Sequence, residues 1–420
     1  MLPVRCPDGE HLRAALLWLL KHARDRLGRR FATTERKRGK NVTDNQQLLA
    51  YLRAHQTDMM ALLTQLVEME SPSDHKPSLD RLGAALAAAL RGMGAAVDVI
   101  GQETAGNQVR ARWGHGAGGI LMLCHMDTVW ELGTLARRPV RVEDGRLYGP
   151  GAFDMKGGIV NAIWAMYALR ELGLLPDRRI TLLITSDEEI GSDASRGVIE
   201  AEALAHAAVF VLEPAHPPRA SLKTWRKGVG DYHVTVTGRA AHAGAAHDEG
   251  INAIEELAHQ VLAIQALTDY AAGTTVNVGV ISGGTRSNVV PEQARAHVDV
   301  RVINAAEEAR IDAMLRALQP RLAGTTIVVT GGINRPPMVR TPAIVALFQK
   351  AAAIAAELGF PVDETGTGGG SDGNFTAALG VPTLDGLGVA GNGGHALHEH
   401  VIISSLPERA ALLAAMLRSA

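Results

Sequence analysis

Three apolar runs of strand character each end in side chains able to hold a metal ion. Ile120 to Cys124 runs into His125, Ile180 to Thr185 into Asp187, Glu188 and Glu189, and Val209 to Leu212 into Glu213. In open α/β sheets ligands bind outside the carboxyl ends of the strands, so these groups converge if the strands are parallel neighbours. Asp127 lies two residues after His125, on the same side of an extended segment, where it can accept the second ring N–H and fix the tautomer. Between the first two runs, Gly149-Pro-Gly-Ala-Phe-Asp154-Met-Lys-Gly-Gly158 bends at its glycines and delivers Asp154 just before a helix, a place from which one carboxylate can bridge two cations. The stretch Gly391 to Val401 presents His395, His398 and His400, so at least one further imidazole can reach the site. Imidazoles and carboxylates with few thiols suit a pair of Zn²⁺ ions about 3.5–4 Å apart. Each element alone is an ordinary feature of a soluble protein. Together they crowd acids that would repel one another without a cation between them.

The elements that must position these groups read as an α/β pattern. Apolar residues recur at helical spacing from Asp44 to Glu70, followed by a helical Leu79–Met93 and the short run Ala96–Ile100. Helical Ile159–Leu172 separates the runs at 120 and 180, and Ala207–Leu212 closes the series. Strands alternating with helices predict a sheet covered on both faces. The pattern changes around Arg219–Gly230. Strand-like Asp231–Gly238, a helix over Gly250–Leu267, strands at Thr275–Ile281 and Ala294–Val302, a helix at Glu307–Leu322 and a run Thr325–Thr330 follow. That order suits a small ferredoxin-like α+β domain inserted in the chain. Pro336 and Pro337 mark the return, with a helix Pro342–Leu358, glycine-rich 366–370 and a closing helix Leu406–Arg418. The expected boundaries are an N-terminal extension 1–43, a main domain of 44–222 and 337–420, and an insertion 223–336.

Lys+Arg at 42 against Asp+Glu at 44 gives a formal charge of -2. That balance argues against general affinity for nucleic acid or anionic membrane and for a small-molecule partner. Two cysteines, Cys6 and Cys124, exclude a disulfide framework. Residues 1–40 carry eleven Lys/Arg against four Asp/Glu, ending in Arg36, Lys37, Arg38 and Lys40. With no aromatic interleaving, this extension is expected to be solvated, disordered or partly helical. Its apolar run Ala14–Leu20 is too short to span a membrane and no small-residue cleavage site follows, so the expected location is the cytoplasm.

From about Asp44 to its end the chain resembles the M20 family of zinc metallopeptidases and deacylases, nearest its glutamate carboxypeptidase branch. The matching stretches are His125-Met-Asp127-Thr128, Gly149–Gly158, Ser186-Asp-Glu188-Glu189-Ile-Gly191, Leu212-Glu213-Pro214, Gly238-Arg-Ala-Ala-His242-Ala-Gly244 with Asn252-Ala253, Asp299-Val-Arg301 and Gly369-Gly-Ser-Asp372. The resemblance implies a catalytic zinc domain with a central mixed sheet flanked by helices, and an inserted dimerisation or lid domain. It implies two Zn²⁺ per subunit, with Co²⁺ or Mn²⁺ able to substitute. Asp154 would bridge the ions, His125 and Glu213 would complete one, and Glu189 with His395 the other. His395 is preferred to His398 because the family ligand stands four residues before a glutamate, here Glu399; a swap stays open. Glu188 would be the general base that takes a proton from the attacking water and passes it to the leaving nitrogen, a role spacing alone does not assign between Glu188 and Glu189. Asp127 would support His125.

In the insertion, His242 resembles the histidine that reaches across a homodimer and donates to the tetrahedral oxyanion. Arg301 and Asn288 match positions that hold a substrate's terminal carboxylate, Arg335 and Arg219 with Ser221 sit where further carboxylate-binding groups occur, and main chain around Gly369 would line the pocket. Guanidinium forks suit planar carboxylates, so two of them favour a dicarboxylic residue such as glutamate. The expected activity is hydrolysis of an amide next to a free carboxylate, releasing C-terminal glutamate or a similar acidic residue from an N-acyl or short peptidyl substrate. An N-acyl amino-acid deacylase is the alternative within the same machinery, and a catalytically idle ligand-binding relative the alternative of another class.

Overall fold

Strand β3, Ile120–His125, is buried at every position and lies at the centre of a six-stranded sheet. Its neighbours are β4, Ile180–Thr185, and β5, Ala208–Val211, both parallel to it, with Ile120 opposite Ile180 on one side and Ala208 on the other. Antiparallel β1, Ala96–Ile100, and β2, Gln108–Trp113, extend the sheet beyond β4, and the short strand Thr383–Leu384 pairs in parallel with β5. The sheet is therefore mixed, and its parallel centre consists of apolar runs buried on both faces. Because β3, β4 and β5 run the same way, their three polar continuations emerge at one rim.

The structure, a computed structural model, describes residues 42–419. The basic leader with its apolar run and Cys6 lies outside the described residues. Among those residues no helix is long and apolar enough to cross a membrane. The helical entry is two helices, Asp44–Ala54 and Gln56–Glu68. Thr43 and Gln46 form a capping box at the first, and the break falls at His55, whose ring turns inward onto Tyr51 and Trp164. Helix Gly157–Glu171 is buried from Gly157 to Leu169, as a helix apolar all round must be. It packs on β3 and on the closing helix Ser405–Ser419. Gly158 allows its first turn to approach β5, since a Cβ there would lie 2.1 Å from the carbonyl oxygen of Leu212.

The chain divides into two compact units. The first takes the described residues up to Thr224 with Arg340–Gly366 and those from Leu379 onward; the second takes Trp225–Val339 and Thr367–Ala378. The second unit is a four-stranded antiparallel sheet of β6, Gly228–Thr237, β7, Thr275–Gly283, β8, Gln293–Val302, and β9, Thr326–Arg335, ordered β7-β8-β6-β9. Tyr232, Val234 and Val236 of β6 and the alternate residues Ala294 to Val302 of β8 point into a core completed by helices Ala253–Gln265 and Ala305–Arg316. Asp231, His233, His297, Asp299 and Arg301 alternate with them and occupy the other face. The second helix stops short of the expected Leu322 because Pro320 follows within one turn. The segment Thr367–Ala378, expected within the main domain, joins the second unit. Arg226 donates to the carbonyls of Gly369 and Gly370, and Asn374 donates to those of Lys227 and Pro336.

Gly158→Ala should cost ~1–3 kcal/mol through overpacking against Leu212. Thermal unfolding of the purified protein measures it as a lower midpoint, and an unchanged midpoint would show that this approach carries no constraint.

Candidate metal centre

Four of the expected groups meet around a fifth, Asp154, at the rim of the parallel strands. One oxygen of Asp154 lies 3.4 Å from Nε2 of His125, and the other 3.3 Å from Nε2 of His395. Each imidazole has a second carboxylate to itself: Glu213 is 3.4 Å from His125 Nε2, and Glu189 is 3.0 Å from His395 Nε2. Ligand atoms of His125, Asp154 and Glu189 all fall within 4.8 Å of one another. Two ligands of a tetrahedral zinc, each about 2.05 Å from the ion, stand about 3.3 Å apart. The separations match that edge and mostly exceed a good hydrogen bond. Accordingly Nε2 of His125, fully buried, makes no hydrogen bond, and neither does Oε1 of Glu189. The donor set fits two cations sharing Asp154. His395, not His398, faces this cluster, from a turn that holds it at φ 61°. His398 is exposed, and its carbonyl accepts from His400. Cys124 lies in β3 with its thiol pushed up by burial and takes no part.

A second set of groups holds the first in place. Nδ1 of His125 donates to the main-chain carbonyl of Asp127 at 3.0 Å, which leaves Nε2 with a lone pair for a cation. The carboxylate of Asp127, expected in that role, stands 3.4 Å from Nδ1 and is engaged elsewhere. It accepts from Ser73 Oγ and from the main-chain N–H groups of Glu188 and Glu189, at 2.7, 3.2 and 3.1 Å. Asp127 thus fixes the turn that presents Glu188 and Glu189. Asp187 turns the other way, accepting from Ser195 Oγ and the N–H of Ala194. Beneath the loop of Asp154, Gly151 adopts φ 72°, and the buried Glu399 accepts N–H groups of Gly151, Phe153 and Asp154. Nothing in the sequence marks Ser73, Trp130 or Lys156 for this supporting role, and Glu399 is marked only by its fixed distance from His395.

The charges act strongly on one another. Burial disfavours a charged His125, yet the carboxylates of Asp127, Asp154 and Glu213 outweigh it and raise its pKa well above the ordinary value. Asp154 and Glu189 raise His395 to about 11. Burial opposes ionisation of Asp154, but the two imidazoles hold it well below the carboxylate range, whereas burial pushes Glu189 up to about 8. Lys156 is pushed down to about 7 by burial, against the pull of Glu399, Glu70 and Asp127, and donates to the carbonyl of Met69.

The remaining expected residues are distributed over both units. In the first, Arg219 is largely exposed and 3.4 Å from Asp363, and Ser221 is buried with its main chain paired to His216. In the second, Arg301 holds its neighbour Asp299 through Nε and Nη2 and donates from Nη1 to the carbonyl of Gly368. Arg335 is buried, with Nη2 3.2 Å from Asp372 and its guanidinium over Phe375. Gly369 is exposed, its carbonyl held by Arg226. His242 and Asn288 are brought together, Ala243 donating to the carbonyl of Asn288. Nδ1 of His242 accepts the N–H groups of Gly244 and Ala245, both at 3.1 Å, so in the neutral ring the proton sits on Nε2.

The profile of Peptidase family M20/M25/M40 matches residues 121–419. Carboxypeptidase G2 of Pseudomonas sp. (strain RS-16) is 33% identical over 366 residues, covering 84% of this chain and 87% of that protein. Acetylornithine deacetylase of Myxococcus xanthus is 31% identical over 287 residues, 63% of this chain and 72% of the relative. Among solved structures, aminopeptidase PepT from Bacillus cereus ATCC 10987 superposes with a TM-score of 0.72 at 22% identity, covering 86% of this chain and 98% of its own. An M20 family metallo-carboxypeptidase from Sulfolobus solfataricus does so with 0.68 at 18%, over the same shares.

A proton and a cation compete for the same imidazole nitrogen, and both imidazoles hold protons below their raised pKa values, His395 below about 11. Affinity for Zn²⁺ should therefore rise with pH through the neutral range, with protons released on binding. Calorimetric titration in buffers of different ionisation enthalpy measures the release; a heat independent of buffer would contradict it.

Proposed function

We propose, since the chain belongs to Peptidase family M20/M25/M40 and is a metal-dependent hydrolase, that it cuts an amide bond next to a free carboxylate with two Zn²⁺ per chain. Asp154, with His125 and Glu213 on one side of it and Glu189 and His395 on the other, would hold the ions, and Co²⁺ or Mn²⁺ would substitute. The observation that carries this reading is Asp154 turning different oxygens to two imidazoles, each with its own second carboxylate. Zinc bound there supplies Lewis-acid polarisation of the scissile carbonyl and lowers the pKa of a water.

The chain's own groups do the rest. Glu188, its main chain fixed by Asp127, takes the proton of the attacking water and delivers it to the leaving nitrogen. His242 donates from Nε2 to the tetrahedral oxyanion, and it does so in the site of a second copy of the chain. Homodimerisation through the second unit is supported by the exposed apolar side chains of Leu262, Val280 and Ile281. Arg301 and Asn288, with Arg335, Arg219, Ser221 and main chain at Gly369, receive the substrate's carboxylates. The guanidinium groups and the likeness to a carboxypeptidase support release of a C-terminal acidic residue such as glutamate from a small N-acyl or peptidyl substrate.

A second reading is N-acyl amino-acid deacylation. It is favoured by the likeness to acetylornithine deacetylase and by Arg301 and Arg335 each already holding an aspartate. A panel of N-acyl glutamates, dipeptides ending in glutamate or aspartate, and acetylated amines separates the two. The first reading expects higher kcat/KM when the released residue carries a second carboxylate, and indifference to that group would remove the glutamate assignment.

Glu188→Ala should lower turnover by ~10²–10⁴ with metal content retained, whereas Asp154→Ala should lose metal. Kinetics paired with elemental analysis tests both, and normal turnover in Glu188→Ala would overturn its role as base.

A further inference from the structure

Glu399 stands four residues beyond His395 and is fully buried, yet it faces neither imidazole of the centre. Its Oε1 accepts the N–H groups of Phe153 and Asp154, at 3.0 and 3.1 Å. Its Oε2 accepts the N–H of Gly151 at 2.9 Å and the indole Nε1 of Trp130 at 2.8 Å. Its main-chain carbonyl takes the N–H of Gly149 at 3.4 Å. Each carboxylate oxygen thus holds two donors, its full complement. Three N–H groups of the loop Gly149–Asp154, those of Gly151, Phe153 and Asp154, are bound to one carboxylate, and the indole that completes the set is itself covered by the guanidinium of Arg138, 4.4 Å from the ring centroid.

We infer that Glu399 is the positioning residue of the metal centre: it wraps the loop of Asp154 around its carboxylate and ties that loop to the segment carrying His395. The inference rests on the reading of Asp154 as the ligand shared by two cations. A bridging carboxylate has little tolerance, because each oxygen must meet a different ion within ~0.2 Å of the ligand distance. The bond from the N–H of Asp154 to Glu399 restrains the backbone of that very residue. Since His395 and Glu399 share one short turn, a ligand of one ion and the brace of the bridging ligand move together. Charge is required as well as shape. An amide in place of the carboxylate keeps the size but presents an NH₂ to two groups that are themselves donors, so half of the cradle loses its acceptor.

Full-length wild type, Glu399→Gln and Trp130→Phe are freed of metal and titrated with Co²⁺, recording stoichiometry, affinity and the magnetic coupling of the two cobalt ions. Thermal unfolding of the metal-free proteins reports whether each variant folds. Glu399→Gln should bind the bridged pair roughly 10–100-fold more weakly and lose the coupling, a signature that a general loss of stability does not produce. Trp130→Phe removes one donor of four and should shift affinity the same way by less. Two Co²⁺ bound with wild-type affinity and wild-type coupling in both variants would overturn the inference. If Glu399→Gln does not fold, Trp130→Phe decides alone. If wild type itself takes one Co²⁺, the two-cation reading fails, while weaker binding of that ion in the variants still supports the brace and unchanged binding rejects it.

Discussion

The structure depends on how negative charge is disposed of at the carboxyl ends of three parallel strands. Acidic side chains collected there are buried wholly or in part, where isolated ions are costly. They fall into two classes by what faces them. Asp127, Asp187 and Glu399 are surrounded by N–H and O–H donors of nearby turns and need nothing further. Asp154, Glu189 and Glu213 face imidazole nitrogens at separations suited to a shared cation. The first class shapes the loops and the second fills them. A metal-dependent hydrolase needs both, because ligands spread over distant parts of the chain converge only if each turn that bears them is fixed by its own hydrogen bonds.

The second unit follows a different logic. Its helices cover one face of the sheet, leaving the alternating polar face of β6 and β8 with Asp231, His233, Asp299 and Arg301. The guanidinium groups of Arg301 and Arg335 already hold aspartates of their own unit. An anion approaching either guanidinium would therefore meet a partner already in place.

The central strands and the gathering of side chains at their rim were legible in the sequence because the same residues served both purposes. Apolar runs buried on both faces end abruptly in or just before His125, Glu189 and Glu213, so strand ends and metal-capable side chains coincide. Strand β2, Gln108–Trp113, offers no continuous apolar run like its neighbours, only the short alternation of Val109, Ala111 and Trp113 with Arg110 and Arg112, whose charges are taken by Asp98 and Glu202. The break at His55 was hidden inside an unbroken helical spacing. Glu399 escaped as a positioning group because three of its four donors are main-chain N–H groups, which carry no side-chain signature. The exchange at His125, where a carbonyl rather than the carboxylate of Asp127 takes the ring proton, was invisible for the same reason. Membership of Thr367–Ala378 in the second unit arises from contacts made at long range by Arg226 and Asn374, to which local pattern is blind.

Anomalous diffraction at the zinc absorption edge, from crystals of the full-length protein grown with Zn²⁺, tests the central claim most directly. The account predicts two peaks astride Asp154, one bonded to His125 and Glu213 and the other to Glu189 and His395, about 3.5–4 Å apart. A single peak, or peaks that leave either oxygen of Asp154 without an ion, would contradict it.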